Sequence, residues 1–153
     1  MTGTANYILF YDGECRFCNR WVQWVVDRDE SKVFTFAALE SDFFKDLQSY
    51  LKIDRSVNSI AIIDIKDLLL KKRFAQLIYR SEAVACLFAN LQPNAFVYKA
   101  LKVTPRFISD FVYSCVAGIR KLLAVPNCRL YTNEEKKLFL NDRDFVDFIS
   151  LSL

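Results

Sequence analysis

Cys15 and Cys18 are the residues whose type and spacing most directly suggest chemistry in this chain. At the start of a helix, two residues three positions apart lie on one face, about one turn from each other. Their Cα atoms are then about 5–5.5 Å apart, within the range of about 4.4–6.8 Å that a disulfide requires. The pair could open and close without movement of the backbone, so the spacing favours thiol–disulfide exchange.

The dipole of that helix assigns different roles to the two cysteines. Cys15 would lie among N–H groups without partners at the positive end of the dipole, which stabilises a thiolate by about 0.3–1 kcal/mol. We therefore expect Cys15 to attack a substrate disulfide and Cys18 to resolve the mixed disulfide. Arg16 adds positive charge near the thiols, but the negative charges of Asp12 and Glu14 oppose it. We therefore predict a redox potential typical of a reductase.

Asp12 and the other cysteines leave several interpretations open. Asp12 either fixes the turn before the helix, which is the simpler interpretation, or carries a proton to and from the thiols. A CxxC pair is also half of a common zinc or iron–sulfur site, with Cys128 as a further ligand, although no second CxxC is present. Cys86 and Cys115 fall in predicted amphipathic helices, where buried and unreactive cysteines are expected.

The composition excludes several classes of protein. The 153 residues include no histidine, which rules out Cys–His proteases, Ser–His–Asp hydrolases and zinc enzymes with histidine ligands. Hydrophobic residues make up 53% of the chain and charged residues 25%, a balance typical of one folded domain. The net charge is only +3 and basic residues are mixed with acidic ones, so no nucleic-acid partner is predicted.

The N-terminus and the cysteine content predict a cytoplasmic protein. Residues 1–6 contain neither a basic cluster nor a long apolar run, so no signal peptide is expected. Five cysteines without such a signal indicate a reducing compartment. The most apolar stretch, residues 107–125, contains Asp110, Arg120 and Lys121, whereas a transmembrane helix needs about 20 nearly uncharged residues. We interpret this stretch as a core helix and predict no transmembrane segment.

Hydrophobic periodicity places the cysteine pair between a strand and a helix. Residues 7–11 form an apolar, aromatic run typical of a buried strand, and Asp12-Gly13 is a turn signal. Beyond the cysteines, apolar side chains recur at helical spacing, among them Trp21 and Trp24. Both tryptophans are interpreted as packing residues rather than as a platform for substrate.

The remaining strands and helices follow from similar signals. Further strands are predicted at residues 33–38, 59–64 and 76–79, with residues 65–79 as the return of a hairpin and Lys71-Lys72-Arg73 exposed at its bend. Helix starts are predicted at Ser41, Ser81, Thr104-Pro105 and the capping box of Thr132 with Glu135, and a last short helix at 145–149. The helix after Pro105 is predicted to bury one face, formed by Ile108, Phe111, Val112, Cys115, Ile119, Leu122 and Leu123.

The resulting order, β-α-β-α-β-β-α, is that of a thioredoxin-like domain. We therefore predict an α/β fold with a central mixed sheet of about four strands, flanked by helices and followed by extra C-terminal helices. A single domain would span residues 1–153, with a redox core at 1–91 and a helical extension at 93–153 packed on it.

Several segments together resemble the DCC family of thiol–disulfide oxidoreductases, which is named for its Asp-x-x-Cys-x-x-Cys motif. The similar segments, in order, are Asp12 to Cys18, Phe36 to Ser41, Arg80 to Ala83, Thr104-Pro105-Arg106 with Asp110 and Tyr113, and Cys128-Arg129-Leu130. The resemblance implies a thioredoxin-like fold and disulfide exchange without a cofactor, with a protein or small-molecule disulfide as substrate and a thiol system as reductant. It assigns Asp12, Cys15 and Cys18 to the site and leaves Cys128 without a defined role.

Two departures from the expected pattern bear on substrate choice. Thioredoxins place a cis-proline before the third strand, facing the cysteine pair, but residues 55–59 contain no proline. Residues 65–79 also form a longer connection than is usual in the family. A zinc or iron–sulfur module and a redox-inert scaffold of the same fold therefore remain as alternatives to the enzyme.

Overall fold

The fold is built on a mixed sheet, as seen in a computed structural model that describes residues 5–53, 57, 59–92, 96–119 and 131–152. The strands are β1 (Tyr7–Tyr11), β2 (Phe34–Ala38), β3 (Ala61–Asp64) and β4 (Ile78–Tyr79), in the order β2-β1-β3-β4. Strand β1 pairs in parallel with β2 and antiparallel with β3, and β4 is antiparallel to β3. The predicted α/β, thioredoxin-like class is confirmed.

Helices flank the sheet and continue beyond it toward the C-terminus. They are α1 (Arg16–Arg28), α2 (Asp42–Leu51), α3 (Ile65–Lys71), α4 (Arg80–Leu91), α5 (Phe96–Val103), α6 (Arg106–Ile119), α7 (Asn133–Lys136) and α8 (Phe145–Ser152), with a 3₁₀ turn at Lys72–Phe74. The extra C-terminal helices are therefore present, and α5 is a helix that the sequence patterns did not predict.

The side chains of β1 alternate between two hydrophobic clusters, one on each face of the sheet. Ile8 and Phe10 belong to the cluster that includes residues of α2, α3 and α8. Leu9 and Tyr11 belong to the opposite cluster, beneath α1 and α4. Because both faces are covered, the strand reads as a continuous apolar run instead of an alternating one.

Two of the predicted helix caps are present, and one is not. The Ser41 hydroxyl accepts a hydrogen bond from the N–H of Phe44, and Thr132 and Glu135 form the predicted capping box. Ser81 does not cap α4, because that helix begins one residue earlier. Its hydroxyl instead donates to Asp110 Oδ1 at 2.5 Å, on a helix 29 positions further along the chain.

The connection between β3 and β4 corrects the predicted hairpin. The two strands do pair, but a helix joins them because Asp64 Oδ1 accepts hydrogen bonds from the N–H groups of Lys66 and Asp67. Ile65 and Leu68, three positions apart, are buried on the inner side of that helix. The basic residues 71–73 are exposed, as predicted.

Helix α6 is not the core helix that its composition suggested. Phe107 and Phe111 are 74% and 70% exposed, and the predicted inward face, Ile108 to Ile119, points largely outward. Among the residues of α6 whose burial the structure describes, the buried one is instead Ser109, 8% exposed. Leu122 and Leu123 lie outside the described residues. No helix in the described part of the chain is both long enough and apolar enough to cross a bilayer.

Polar contacts explain the orientation of α6. Asp110 accepts from Ser81, Arg106 forms an ion pair with Glu82, and the hydroxyl of Tyr113 accepts from the N–H of Ile60. These contacts hold the polar side of α6 against the rest of the fold and turn most of its apolar side outward.

Candidate active site

The cysteine pair lies at the N-terminus of α1, directly after the turn that follows β1. Cys15 is the N-cap residue, and its Sγ accepts a hydrogen bond from the N–H of Cys18 at 3.4 Å. Cys15 is 9% exposed and Cys18 is half-buried. The structure therefore places both thiols at the predicted strand–helix junction, with a backbone donor directed at the first sulfur.

Asp12 holds the turn from which this helix begins. Its Oδ1 accepts from the N–H groups of Glu14 and Cys15, each at 3.1 Å. One carboxylate oxygen thus satisfies two backbone donors next to the nucleophile candidate. Ligand atoms of Asp12, Cys15 and Cys18 all lie within 4.8 Å of one another, so the structure brings the three predicted site residues together.

Two further polar residues, which the sequence patterns did not single out, support the same turn. The N–H of Gly13 donates to Glu40 Oε2 at 3.0 Å, and a Cβ at Gly13 would lie 3.1 Å from Cβ of Ala38. Asn19 Nδ2 donates to the carbonyl oxygens of Gly13, at 2.7 Å, and Cys15, at 3.1 Å. The position of Asn19 four residues after Cys15 was an available signal, whereas Glu40 is brought near only by the pairing of β1 with β2.

An apolar cavity of about 290 Å³ opens beside Cys18 and Asp12. Tyr11 and Trp21 are among its lining residues, and burial raises the pKa of Tyr11 above its ordinary value. Trp21 packs edge-on against Trp24, with ring centroids 5.2 Å apart, and both rings contact Phe88. The packing role predicted for the tryptophans is confirmed, and Trp21 also borders the space next to the thiols.

The remaining cysteines lie apart from this site or outside the described residues. Cys86 is half-buried, and burial, followed by the nearby charge of Asp64, raises the pKa of its thiol. Cys115 is exposed because it lies on the outward side of α6, so the prediction that it is buried is wrong. Cys128 and its neighbours Arg129 and Leu130 fall outside the described residues.

The arrangement could support two kinds of chemistry. Two free thiols at a helix N-terminus can be oxidised to a disulfide. The three atoms contributed by Asp12, Cys15 and Cys18 could also bind a thiophilic metal ion. A structural zinc site takes four protein ligands, and this group of described residues supplies three.

Comparison with known proteins adds an independent line of evidence. The family model described as DCC1-like thiol-disulfide oxidoreductase matches residues 9–125, which include the cysteine pair. The "Uncharacterized protein YuxK" of Bacillus subtilis (strain 168) is 30% identical over 139 residues, 88% of this chain and 94% of that protein. No solved structure gives a significant match.

A plant relative is similar over a shorter region. The "DCC family protein At1g52590, chloroplastic" of Arabidopsis thaliana is 32% identical over 114 residues, 74% of this chain. The aligned region spans 62% of the plant protein's length. The match of the family model over most of the chain, together with the cysteine pair in place at the start of α1, shows that this chain belongs to the DCC1-like thiol-disulfide oxidoreductase family.

Proposed function

We propose that this protein is a thiol–disulfide oxidoreductase of the protein-disulfide reductase type, acting on protein or small-molecule disulfides in the reducing environment of the cytoplasm. The observation that carries the proposal is the position of the cysteine pair. Both sulfurs lie within 4.8 Å of each other at the start of α1, and the Cys18 N–H is directed at Cys15 Sγ. Membership of an oxidoreductase family supports the same activity.

The proposed reaction uses only the two thiols and needs no cofactor. The Cys15 thiolate, whose Sγ accepts a hydrogen bond from the Cys18 N–H, attacks one sulfur of a substrate disulfide. The other substrate sulfur leaves as a thiolate and takes up a proton. The Cys18 thiolate then attacks Cys15 Sγ and releases the second substrate thiol. The protein is left as the Cys15–Cys18 disulfide, oxidised by two electrons. An external dithiol then reduces this disulfide back to the two thiols.

A redox titration tests this assignment. After equilibration in thiol–disulfide buffers, free thiols are alkylated and the modified cysteines are identified by mass. We expect Cys15 and Cys18 to lose reactivity together and reversibly. Exposed Cys115 should react in every buffer, and Cys86 more slowly, because burial raises the pKa of its thiol. Independent loss of Cys15 and Cys18 would contradict a two-electron pair.

A metal-binding module is the second candidate, and the clustering of Asp12, Cys15 and Cys18 is the observation that favours it. Metal analysis of the protein, purified without chelators, separates the two functions. Stoichiometric zinc or iron that protects Cys15 and Cys18 from alkylation would replace the enzyme with a metal site. If the pair neither binds metal nor cycles with a disulfide, the fold acts as a redox-inert scaffold.

Substitutions of Asp12 distinguish a positioning residue from a proton carrier. In Asp12→Asn the amide oxygen can still accept from Glu14 and Cys15, so we expect turnover within about tenfold of the wild type, because one hydrogen bond contributes only about 0.5–1.5 kcal/mol. Asp12→Ala should lose the turn and lower both the melting temperature and the turnover. An Asp12→Asn variant with a normal melting temperature but turnover at least about a hundredfold lower would instead indicate proton transfer by the carboxylate.

A further inference from the structure

The cavity beside Cys18 is enclosed on several sides by apolar side chains. It extends from β1 and α1 to α4, α5 and α6, and its lining includes Leu9, Trp21, Val25, Leu87, Leu101 and Val116. Among the lining residues that the structure describes, Asp12 is the only charged one, and its carboxylate lies within 4.8 Å of Cys18 Sγ. Charged groups are costly to bury in such surroundings, so the cavity favours an uncharged, apolar occupant.

Ser109, which is far along the sequence from the cysteines, contributes a hydroxyl group to the lining of this cavity. Its side chain is 8% exposed and lines the cavity, and its hydroxyl has no hydrogen-bond partner among the residues that the structure describes. Buried hydroxyls are nearly always paired, since an unpaired one loses its hydrogen bonds to water without replacement. The neighbouring Ser81 shows the usual situation, because its hydroxyl is bonded to Asp110.

We propose that the cavity binds the uncharged, apolar arm of a small-molecule disulfide substrate, and that the Ser109 hydroxyl hydrogen-bonds an oxygen atom of that arm. The proposal rests on the proposed function and names its substrate class. An apolar cavity of about 150 Å³ holds benzene, so the present one, about 290 Å³, suits a group of about two rings or a comparable alkyl chain.

The position of Cys18 connects this binding site to the reaction. The Cys15 thiolate attacks the sulfur that bears the apolar arm, and the second half of the substrate leaves as a thiolate. Because Cys18 Sγ lies within 4.8 Å of Cys15 Sγ and lines the cavity, the arm passes Cys18 to enter it. Attack by Cys18 on Cys15 Sγ then releases the arm as a thiol. Glutathione disulfide, whose arms are charged, would be a poor substrate.

Ligand binding can be tested without redox chemistry in the Cys15→Ser/Cys18→Ser protein. The neutral fluorophore N-phenyl-1-naphthylamine should bind saturably at one site and be displaced by naphthalene and by 2-naphthol. Val84→Trp, which adds bulk to the cavity wall, should weaken binding at least about tenfold. Val103→Trp, at an 85% exposed position on α5, is the matched control and should bind as the parent protein does.

Ser109→Ala tests whether the Ser109 hydroxyl forms a hydrogen bond to the ligand. The affinity for 2-naphthol should fall about two- to tenfold, the range of one hydrogen bond, while the affinity for naphthalene is maintained. Equal changes for both ligands would overturn the role of the hydroxyl. The absence of saturable binding, or equal loss in Val84→Trp and Val103→Trp, would overturn the site itself.

Turnover by the wild type completes the test and separates this proposal from the general function. The kcat/KM for dipropyl disulfide should exceed that for glutathione disulfide, and Val84→Trp should reduce the difference. If both disulfides are reduced equally well, the protein is an oxidoreductase but the substrate class is wrong. If the fluorophore binds but neither disulfide is reduced, the proposed function fails, and with it the assignment of a disulfide substrate.

Discussion

Replacement of Cys15 by serine is expected to reduce turnover of a model disulfide to the uncatalysed rate. A serine hydroxyl is not ionised at neutral pH and cannot form the mixed disulfide, so the first step has no nucleophile. Reduction of bis(2-hydroxyethyl) disulfide, coupled to dithiothreitol, provides the measurement. Cys115→Ser removes an exposed thiol on α6 and serves as the matched control, with turnover equal to that of the wild type.

The companion variant, Cys18→Ser, should fail at the second step. Cys15 can still attack, so a reagent such as 5,5′-dithiobis(2-nitrobenzoate) should leave one thionitrobenzoate bound to Cys15, detectable by mass and stable until a thiol is added. An active Cys15→Ser protein together with an inactive Cys18→Ser protein would contradict the assignment. In that case Cys18, the more exposed thiol and the one that lines the cavity, would be the nucleophile.

The largest effect on stability is expected for Phe43→Ala. The Phe43 ring is fully buried and packs edge-on against Phe145 and Phe148 of α8, with centroids 5.5 Å from each. Removing a buried phenylalanine side chain costs about 3–5 kcal/mol, a large part of the stability of a typical domain. Urea unfolding followed by circular dichroism should show a lower midpoint.

A matched control is available in the same chain. Phe74 is 85% exposed, so Phe74→Ala deletes the same side chain without opening a cavity and should change stability by no more than about 0.5 kcal/mol. We also expect amides of α8 to exchange faster in Phe43→Ala, because two of its aromatic contacts are lost. Unchanged exchange in α8 would contradict the proposal that residues 93–153 are an extension packed on the core.

Local patterns were sufficient for the main elements of the sheet and for the position of the cysteine pair. A continuous apolar run predicts a strand covered on both faces, and residues 7–11 form β1. Helix caps, in which a side chain accepts a hydrogen bond from a backbone N–H three residues later, can also be recognised in the sequence. Ser41 at the start of α2 and Thr132 at the start of α7 are examples. The position of the two thiols at the beginning of α1 is also a local property, because the three-residue spacing places both cysteines on one face of the helix.

The errors arose where a distant partner determines the outcome. Serine is a residue type that commonly caps helices, but the hydroxyl of Ser81 donates a hydrogen bond to Asp110 instead. The apolar residues of α6 suggested a buried face, but the contacts of Asp110, Arg106 and Tyr113 direct its polar side inward. Periodicity reports which residues share a face and does not report what that face meets.

The cysteine pair and its place before α1 were thus determined by the sequence, since a turn, a cap and a three-residue spacing are local properties. The surroundings of the pair were decided by the tertiary structure. Pairing of β1 with β2 brings Glu40 to Gly13, 27 positions away. The docking of α6 places Ser109 in the wall of the cavity that Cys18 also lines. Contacts between residues so far apart depend on how the elements pack, which no short window of residues encodes.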